Sequence, residues 1–398
     1  MIIDNQKKIL SNYFKTKNFS PFERNICDFV IELSKLLMRK FNPKEYPDIY
    51  TFAFFCRQAN VKKIREEFFK SNKIKKSIGL VFHVPPNNIS TNFAYSFIFS
   101  LLLGNSNIVR VSNRLLNLSG KIIYEIDNLM KRKYQKIYKN NFFVFYEKSE
   151  LINKYLSMKC DSRMIWGGND TVNHFKNIQT LPHVRDIFFY DRYSICLINS
   201  DYISKISKKS LEIIIKKFYN DTYLVDQAAC SSPILINWIG KNIEKAKKKF
   251  WGELYKYLKK INYQNKFSEF ISIDKDVVAS VNFALNKKYI HKYFNYSNLI
   301  NIVELNKVPK NFNLYKEKFD FFFQFNLKKL SDLDKFVKRD CQTMTQIGMD
   351  KNQIKNFLIK KNSSGIDRVV EVGNSLDMVL VWDGIDLKQA LTREIKIS

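Results

Sequence analysis

The chain has 398 residues, 45% of them hydrophobic and 26% charged, with a formal net charge of +29. That length suits two or three domains with ample surface to bury a core, and an aromatic share of 15% with only 11 Gly and 8 Pro excludes a disordered, collagen-like or linker-rich chain. No apolar run reaches the ~18 residues of a bilayer span, and the N-terminus lacks the charged-then-apolar order of a secretory signal, so a soluble, cytoplasmic protein is expected.

The first seventy residues read as helical, with Phe29, Ile31, Leu33, Leu36 and Leu37 at roughly helical intervals and Asn60 to Lys70 as a charged face. Gly79 to Val84 is a short β-type run, stopped by Pro85-Pro86-Asn87-Asn88 because Pro cannot continue a central strand. Phe93 to Leu103 is too long and apolar for a typical strand and predicts a buried helix ended by Gly104. Strands are predicted at Ile108–Val111, Phe142–Tyr146, Met164–Trp166, Ile187–Phe189, Ser194–Ile198 and Ile234–Ile236. Helices are predicted at Leu115–Arg132, Glu150–Met158, Thr171–Ile178, Lys205–Phe218 and Gly240–Ile261. Such alternation predicts an α/β fold with an open parallel sheet. Residues 206–345 read as a second α/β unit, within which no element is assigned after Ile261. Two strands are predicted in the tail, at Val369–Val372 and Met378–Trp382.

The charge invites a nucleic-acid reading, but the 67 basic residues are 54 Lys and 13 Arg, and runs such as Lys131-Arg132-Lys133 and Lys247-Lys248-Lys249 are scattered. Arg is the residue suited to bidentate phosphate and base recognition, so no nucleic-acid partner is expected. The six cysteines include no C-x-x-C pair, and the four histidines show no H-E-x-x-H spacing. A disulfide framework and a metal site are therefore both disfavoured.

Three places could carry chemistry. Cys230 stands among Ala228, Ala229, Ser231 and Ser232, small residues that leave room around the sulfur, and backbone N–H groups in such a turn can face an oxyanion. Residue type alone leaves Cys230 open between a nucleophile and a buried small hydrophobe. Gly167-Gly168 lies between a strand and a helix, where a phosphate can approach the backbone, although a lone Gly-Gly is also an ordinary turn. Arg110, Ser112 and Arg114 at a strand end could hold a ribose or its 2′-phosphate, or form a plain surface loop.

Together these segments resemble the aldehyde dehydrogenase superfamily, and within it the acyl-CoA reductase branch of luminescence fatty acid reductases. Asp226-Gln227-Ala228-Ala229-Cys230-Ser231-Ser232-Pro233 looks like the nucleophile motif of that branch. Gly79 to Asn87 with Leu103 to Ser112, and Ile165 to Asp170, are similar to its cofactor-site motifs. Gly365 to Val370 and Val381 to Gly384 look like its C-terminal signature, so the resemblance covers about residues 75 to 393.

The resemblance implies an open-sheet dinucleotide-binding domain over residues 1–205, a catalytic domain over 206–345, and a tail, 346–398, packing back on the first. It implies Cys230 as the acyl-accepting thiolate and Asn87 as the amide that stabilises the oxyanion with the Cys230 N–H. Arg110 and Ser112 would hold the adenosine ribose, and Gly167 and Gly168 the pyrophosphate. Arg110 stands where most of the superfamily has Lys, which favours NADPH, with NADH as the alternative. The implied reaction reduces an acyl-CoA or acyl-protein to a long-chain aldehyde, with an acyl-protein synthetase as partner and a homo-oligomer as assembly. The rivals are a CoA-acylating dehydrogenase, a reductase of a non-fatty acyl group and, from a different class, a basic nucleic-acid-binding protein on a degenerate dehydrogenase scaffold. His83 matches a branch histidine that could donate a proton, or be a satisfied core residue. The superfamily's general-base Glu belongs just before Ser194, where this chain reads Phe188-Phe189-Tyr190-Asp191-Arg192. Without that base, hydrolysis to an acid is disfavoured and acyl reduction is not.

Overall fold

The computed structural model describes residues 18–71, 73–86, 91–111, 116–263, 289–310, 312, 321–335, 337–361 and 364–397. The chain forms two compact units, Met1–Tyr190 with Met378–Ser398, and Asp191–Asp377.

The first unit begins with three helices, Arg24–Lys40, Pro47–Phe55 and Gln58–Phe69. The first of these buries Ile26, Phe29, Val30, Leu33 and Leu37, one stripe at helical spacing, and its last turn carries Arg39 and Lys40 against the dipole. Strand β1 (Ile74–Ser77) precedes five strands that form one sheet: β2 (Leu80–Val84), β3 (Ser106–Val111), β4 (Asn141–Phe145), β5 (Ser162–Trp166) and β6 (Arg185–Phe189). All five are parallel, in the order β4-β3-β2-β5-β6.

Helix Asn92–Leu102 crosses from β2 to β3 and is buried from Phe93 to Leu102, as an all-round apolar helix must be. Gly104 follows it with φ +83, where an added Cβ would lie 2.3 Å from the Phe19 carbonyl oxygen. Only glycine fits there. Between β5 and β6, Arg163 and Asp186 stand opposite in register and form two hydrogen bonds of 2.6 Å. Residues Phe82, Val84, Ile108 and Ile165 pack on one face, while Val81, Val109, Val111 and Met164 pack on the other. The sheet is thus covered on both sides, as a parallel sheet requires.

The second unit holds β7 (Tyr193–Asn199), β8 (Pro233–Ile239), β9 (Ile290–Tyr296), β10 (Ile300–Leu305), β11 (Phe321–Leu327), β12 (Cys341–Ile347) and β13 (Arg368–Glu371). Their order is β13-β12-β7-β8-β11-β10-β9, parallel except for β9. Alternate residues face opposite cores: Ile195 and Leu197 join Ile354 and Phe357, while Cys196 and Ile198 join Phe218, Phe250 and Trp251. The indole N–H groups of Trp238 and Trp251 both donate to Gln324 Oε1, at 3.2 and 3.0 Å. Gln324 Nε2 donates to Glu304, which pairs with Lys247 at 2.9 Å.

Three expectations change. The helix expected at Lys205–Phe218 is two helices, Ser200–Lys205 and Lys208–Asp221, because Ile206 turns extended and Ser207 caps the second by accepting from Ser210 N. Strand β7, assigned above to the first domain, lies in the second unit between β12 and β8, so the division falls after Tyr190. Of the tail, Met378–Ser398 belongs to the first unit, but 346–377 carries the edge strand β13 of the second.

In that tail β14 (Val381–Trp382) pairs antiparallel with β15 (Ile385–Asp386), and β16 (Thr392–Ile395) with β1. Leu387 and Leu391 are buried in the first unit's core. Asn105 is buried beside them: its Nδ2 donates to Leu391 O and its Oδ1 accepts from Ile78 N and Gly79 N. Among the described residues no helix is long and apolar enough to cross a membrane. None of their His, Cys, Asp and Glu side chains form a group of three or more placed to hold a metal.

Candidate active site

Numbered from β2 in chain order, the first sheet reads 3-2-1-4-5, so strand order reverses between β2 and β5. In open α/β sheets, ligands bind outside the carboxyl ends of the strands at that reversal. The C-terminal end of β5 runs straight into Gly167-Gly168 and helix Asn169–Lys176. Gly167 N–H continues the ladder by donating to Phe189 O at 3.0 Å. A Cβ on Gly167 would come within 2.9 Å of Thr171 Cβ, whereas one on Gly168 would meet nothing within 4 Å. Space therefore lies open over Gly168, the N-cap of a helix. These residues fit a dinucleotide pyrophosphate, which a helix N-terminus with exposed backbone can hold.

Arg110 is the penultimate residue of β3, half-buried, with its guanidinium 4.8 Å from the centre of the Tyr146 ring. Tyr146 O–H donates to Asn153 Oδ1 at 2.8 Å, and Asn153 Nδ2 lies 3.3 Å from His174 Nε2. A cation held over a ring face by its charge keeps N–H donors that can meet an anion. Nothing in the spacing of Arg110 and Tyr146 in sequence announces this contact. Arg110, Gly167 and Gly168 thus stand at the C-terminal edge of one sheet. Asn87, Ser112 and Arg114 lie outside the described residues.

His83 is a core residue. It is fully buried on β2, with Nδ1 2.8 Å from Ser96 Oγ and Nε2 2.9 Å from Asn107 Oδ1. Asn107 spends its amide protons on Asn105 O and Asn141 Oδ1, so its Oδ1 accepts and His83 Nε2 carries the hydrogen. Burial pulls the His83 pKa from its ordinary 6.5 down to about 4. Between those values the unfolded chain binds a proton that the folded one does not. Stability contributed by neutral His83 is full above pH 6.5 and is lost as pH falls through about 4, a difference of about 3 kcal/mol. Denaturant midpoints measured across this window should fall on acidification, and less steeply in His83→Gln. Equal slopes in the two proteins would place the acid sensitivity elsewhere.

Cys230 lies in the second unit, half-buried, in the turn just before β8. Burial raises the other five thiols: Cys27 to about 11, Cys160 and Cys196 to about 12, and Cys56 and Cys341 further still. Upstream, Asp226 and Gln227 both take left-handed backbone, φ +48 and +51, a conformation that costs energy in non-glycine residues. The Gln227 side chain holds that bend by donating to Phe321 O at 3.2 Å and accepting from Phe321 N at 3.1 Å. Tyr263 O–H donates to Asp226 Oδ1 at 2.9 Å. Downstream, Ser194 Oγ donates to the Cys230 carbonyl at 2.7 Å. Ser194 and Phe321 are far from Cys230 in sequence, and no local signal marks them.

The stretch before β7 where a general base was sought, Phe188-Phe189-Tyr190-Asp191-Arg192, holds no Glu and ends at Arg192. Its side chain is 1% exposed, bonded to Asp367 at 2.6 Å and to Cys341 O at 2.9 Å. Asp367 belongs to the C-terminal signature, and Ile366 beside it has φ +64, an outlier for a β-branched residue.

The fold is that of the aldehyde dehydrogenases. Thermus thermophilus 1-pyrroline-5-carboxylate dehydrogenase superposes with a TM-score of 0.67 and 9% identity, over 98% of this chain and 85% of that one. Aldehyde dehydrogenase 21 from Physcomitrella patens, crystallised with the reaction product succinate, gives 0.66 and 13%, over 95% and 85%. Glyceraldehyde-3-phosphate dehydrogenase GapN from Methanocaldococcus jannaschii, complexed with NADP, gives 0.61 and 15%, over 97% and 87%. No curated protein matches in sequence. Within that fold the chain belongs to the acyl-CoA reductase (LuxC) family, whose sequence model matches residues 62–394.

Proposed function

We propose that this protein reduces an activated long-chain acyl group, an acyl-CoA or an acyl-protein delivered by a synthetase, to the aldehyde through a thioester on Cys230. The observation that carries the reading is the Cys230 turn: a half-buried thiol among small residues, its main chain anchored on both sides. Family membership supports the same substrate class.

Cys230 as thiolate adds to the acyl carbonyl, forming the new carbon–sulfur bond and a tetrahedral oxyanion; the bond to the CoA sulfur then breaks, and the departing thiolate takes up a proton. The Asn87 amide and the Cys230 N–H hold the oxyanion between those events. A nicotinamide cofactor, when bound, would supply a hydride to the thioester carbonyl; the carbon–sulfur bond to Cys230 then breaks, which releases the aldehyde and restores the Cys230 thiolate. Gly168 and the helix N-terminus behind it would hold the pyrophosphate, and Arg110 the adenosine ribose. No Glu stands in Phe188-Phe189-Tyr190-Asp191-Arg192, the place of the superfamily's general base, which disfavours hydrolysis of the acyl-enzyme. Incubation with acyl-CoA and NADPH should yield an aldehyde, trapped as its hydrazone, with one CoA released per NADPH consumed. Free fatty acid as the main product would contradict the reading.

NADPH is the expected donor. The Arg110 guanidinium lies over the Tyr146 ring; a guanidinium can meet a 2′-phosphate with two parallel donors, whereas a ribose hydroxyl offers only one ordinary acceptor. Charge-assisted bonds contribute about 1.5–3 kcal/mol, so NADPH should bind about tenfold to a hundredfold tighter than NADH. Fluorescence titration of Arg110→Ala should show that preference largely erased with NADH affinity retained. Equal affinities in the unaltered protein would make Arg110 a plain ribose contact.

A further inference from the structure

We infer that Ser194 is a positioning residue for the nucleophile, an inference that rests on the reading of Cys230 as the acyl acceptor. Ser194 is fully buried at the start of β7, where the ladders on both sides are irregular. The register shifts between Ser194 and Ile195 against β8, and between Cys341 and Met344 against β12. Opposite Ser194 stands Pro233, which has no N–H to donate. The Ser194 side chain bridges this gap. Its Oγ accepts from Thr343 N at 3.2 Å and lies 2.7 Å from Cys230 O. Thr343 N–H can only donate, so the single hydroxyl proton of Ser194 goes to the Cys230 carbonyl.

That bond fixes the peptide plane between Cys230 and Ser231. The plane before it is fixed separately, because the Ala229 carbonyl accepts from Ser232 N at 3.0 Å. A trans peptide carries its N–H opposite its C=O, so each carbonyl anchor also sets the direction of the next N–H. One anchor pins the backbone dihedral before the Cys230 Cα and the other the dihedral after it. Together they set the Cα–Cβ direction, and hence where the sulfur meets an acyl carbonyl. Displacement of a reacting atom by about 1 Å can cost ~10²-fold in rate.

The test uses the full chain as the unaltered protein, Ser194→Ala and Ser194→Thr, with two probes. One is a series of radiolabelled acyl-CoA thioesters from butanoyl to hexadecanoyl, followed as acyl transfer to Cys230. The other is iodoacetamide, a small reagent that needs no bound geometry, read by peptide mass spectrometry at all six cysteines. Ser194→Ala should accept the acyl group ~10- to 100-fold more slowly. Its Cys230 alkylation should stay within about threefold, and its buried Cys56, Cys196 and Cys341 should stay protected. Ser194→Thr, which keeps the hydroxyl, should recover most of the acylation rate.

Acylation of Ser194→Ala at the parental rate would overturn the inference. So would slow acylation accompanied by alkylation of the buried cysteines, which marks a role in folding alone. A protected Ser194→Thr as slow as Ser194→Ala would remove the hydroxyl from the account. Absence of any acyl label on Cys230 in the unaltered protein is a separate failure, that of the acceptor assignment itself.

Discussion

Replacing Cys230 by Ala is expected to abolish both acyl-enzyme formation and aldehyde production, a loss of at least about 10³-fold, with the fold intact. Cys230 is half-buried and belongs to no hydrophobic cluster of the described residues, so truncation to Ala should leave those cores intact. Ser194 anchors the main chain and not the sulfur, and that hydrogen bond survives the substitution. Cys230→Ser should keep at most weak activity, because an alkoxide is far harder to form near neutral pH than a thiolate. The other five cysteines are poor substitutes, since burial holds each of them as the thiol. Turnover by Cys230→Ala at the parental rate would remove the thioester from the mechanism.

Asn87→Ala should slow acyl transfer by ~10²–10³-fold, the usual cost of one oxyanion donor. The assignment comes from the motif that follows β2, which borders the strand-order reversal. Cofactor affinity should change little. Single-turnover acylation and cofactor titration on the same preparation separate the two effects. A loss confined to cofactor binding would move the oxyanion role to Asn88 or another donor.

How legible these features are in the sequence depends on how local their causes are. Helix Arg24–Lys40 and strands β2, β3 and β5 follow from near-neighbour periodicity and from stop signals such as Pro85-Pro86 and Gly104. Strands β9 to β12 do not. Phe321–Leu327 and Cys341–Ile347 place Gln324, Gln342 and Gln346 at buried positions, which blurs any alternation. Gln324 is tolerated there only because Trp238, Trp251 and Glu304 meet it. The pairing of β1 with β16 joins Ile74 to Ile395, a contact no local pattern can foretell.

The candidate site divides in the same way. The segment around Cys230 is recognisable as a motif, yet six cysteines look alike until burial sets Cys56, Cys160, Cys196 and Cys341 apart. Ser194 is invisible beforehand because its partners are a carbonyl and an amide brought in by β8 and β12. His83 reads equally well as a proton donor or a core residue, and only its hydrogen bonds to Ser96 and Asn107 decide for the core.

Acyl transfer to Cys230 is tested most directly by incubating the protein, without any nicotinamide, with radiolabelled acyl-CoA thioesters from butanoyl to hexadecanoyl. The expected result is one label per chain, released by hydroxylamine as a thioester is, carried on the peptide containing Cys230 and absent from Cys230→Ala. Label that resists hydroxylamine, maps to another residue, or persists in Cys230→Ala would contradict the thioester mechanism.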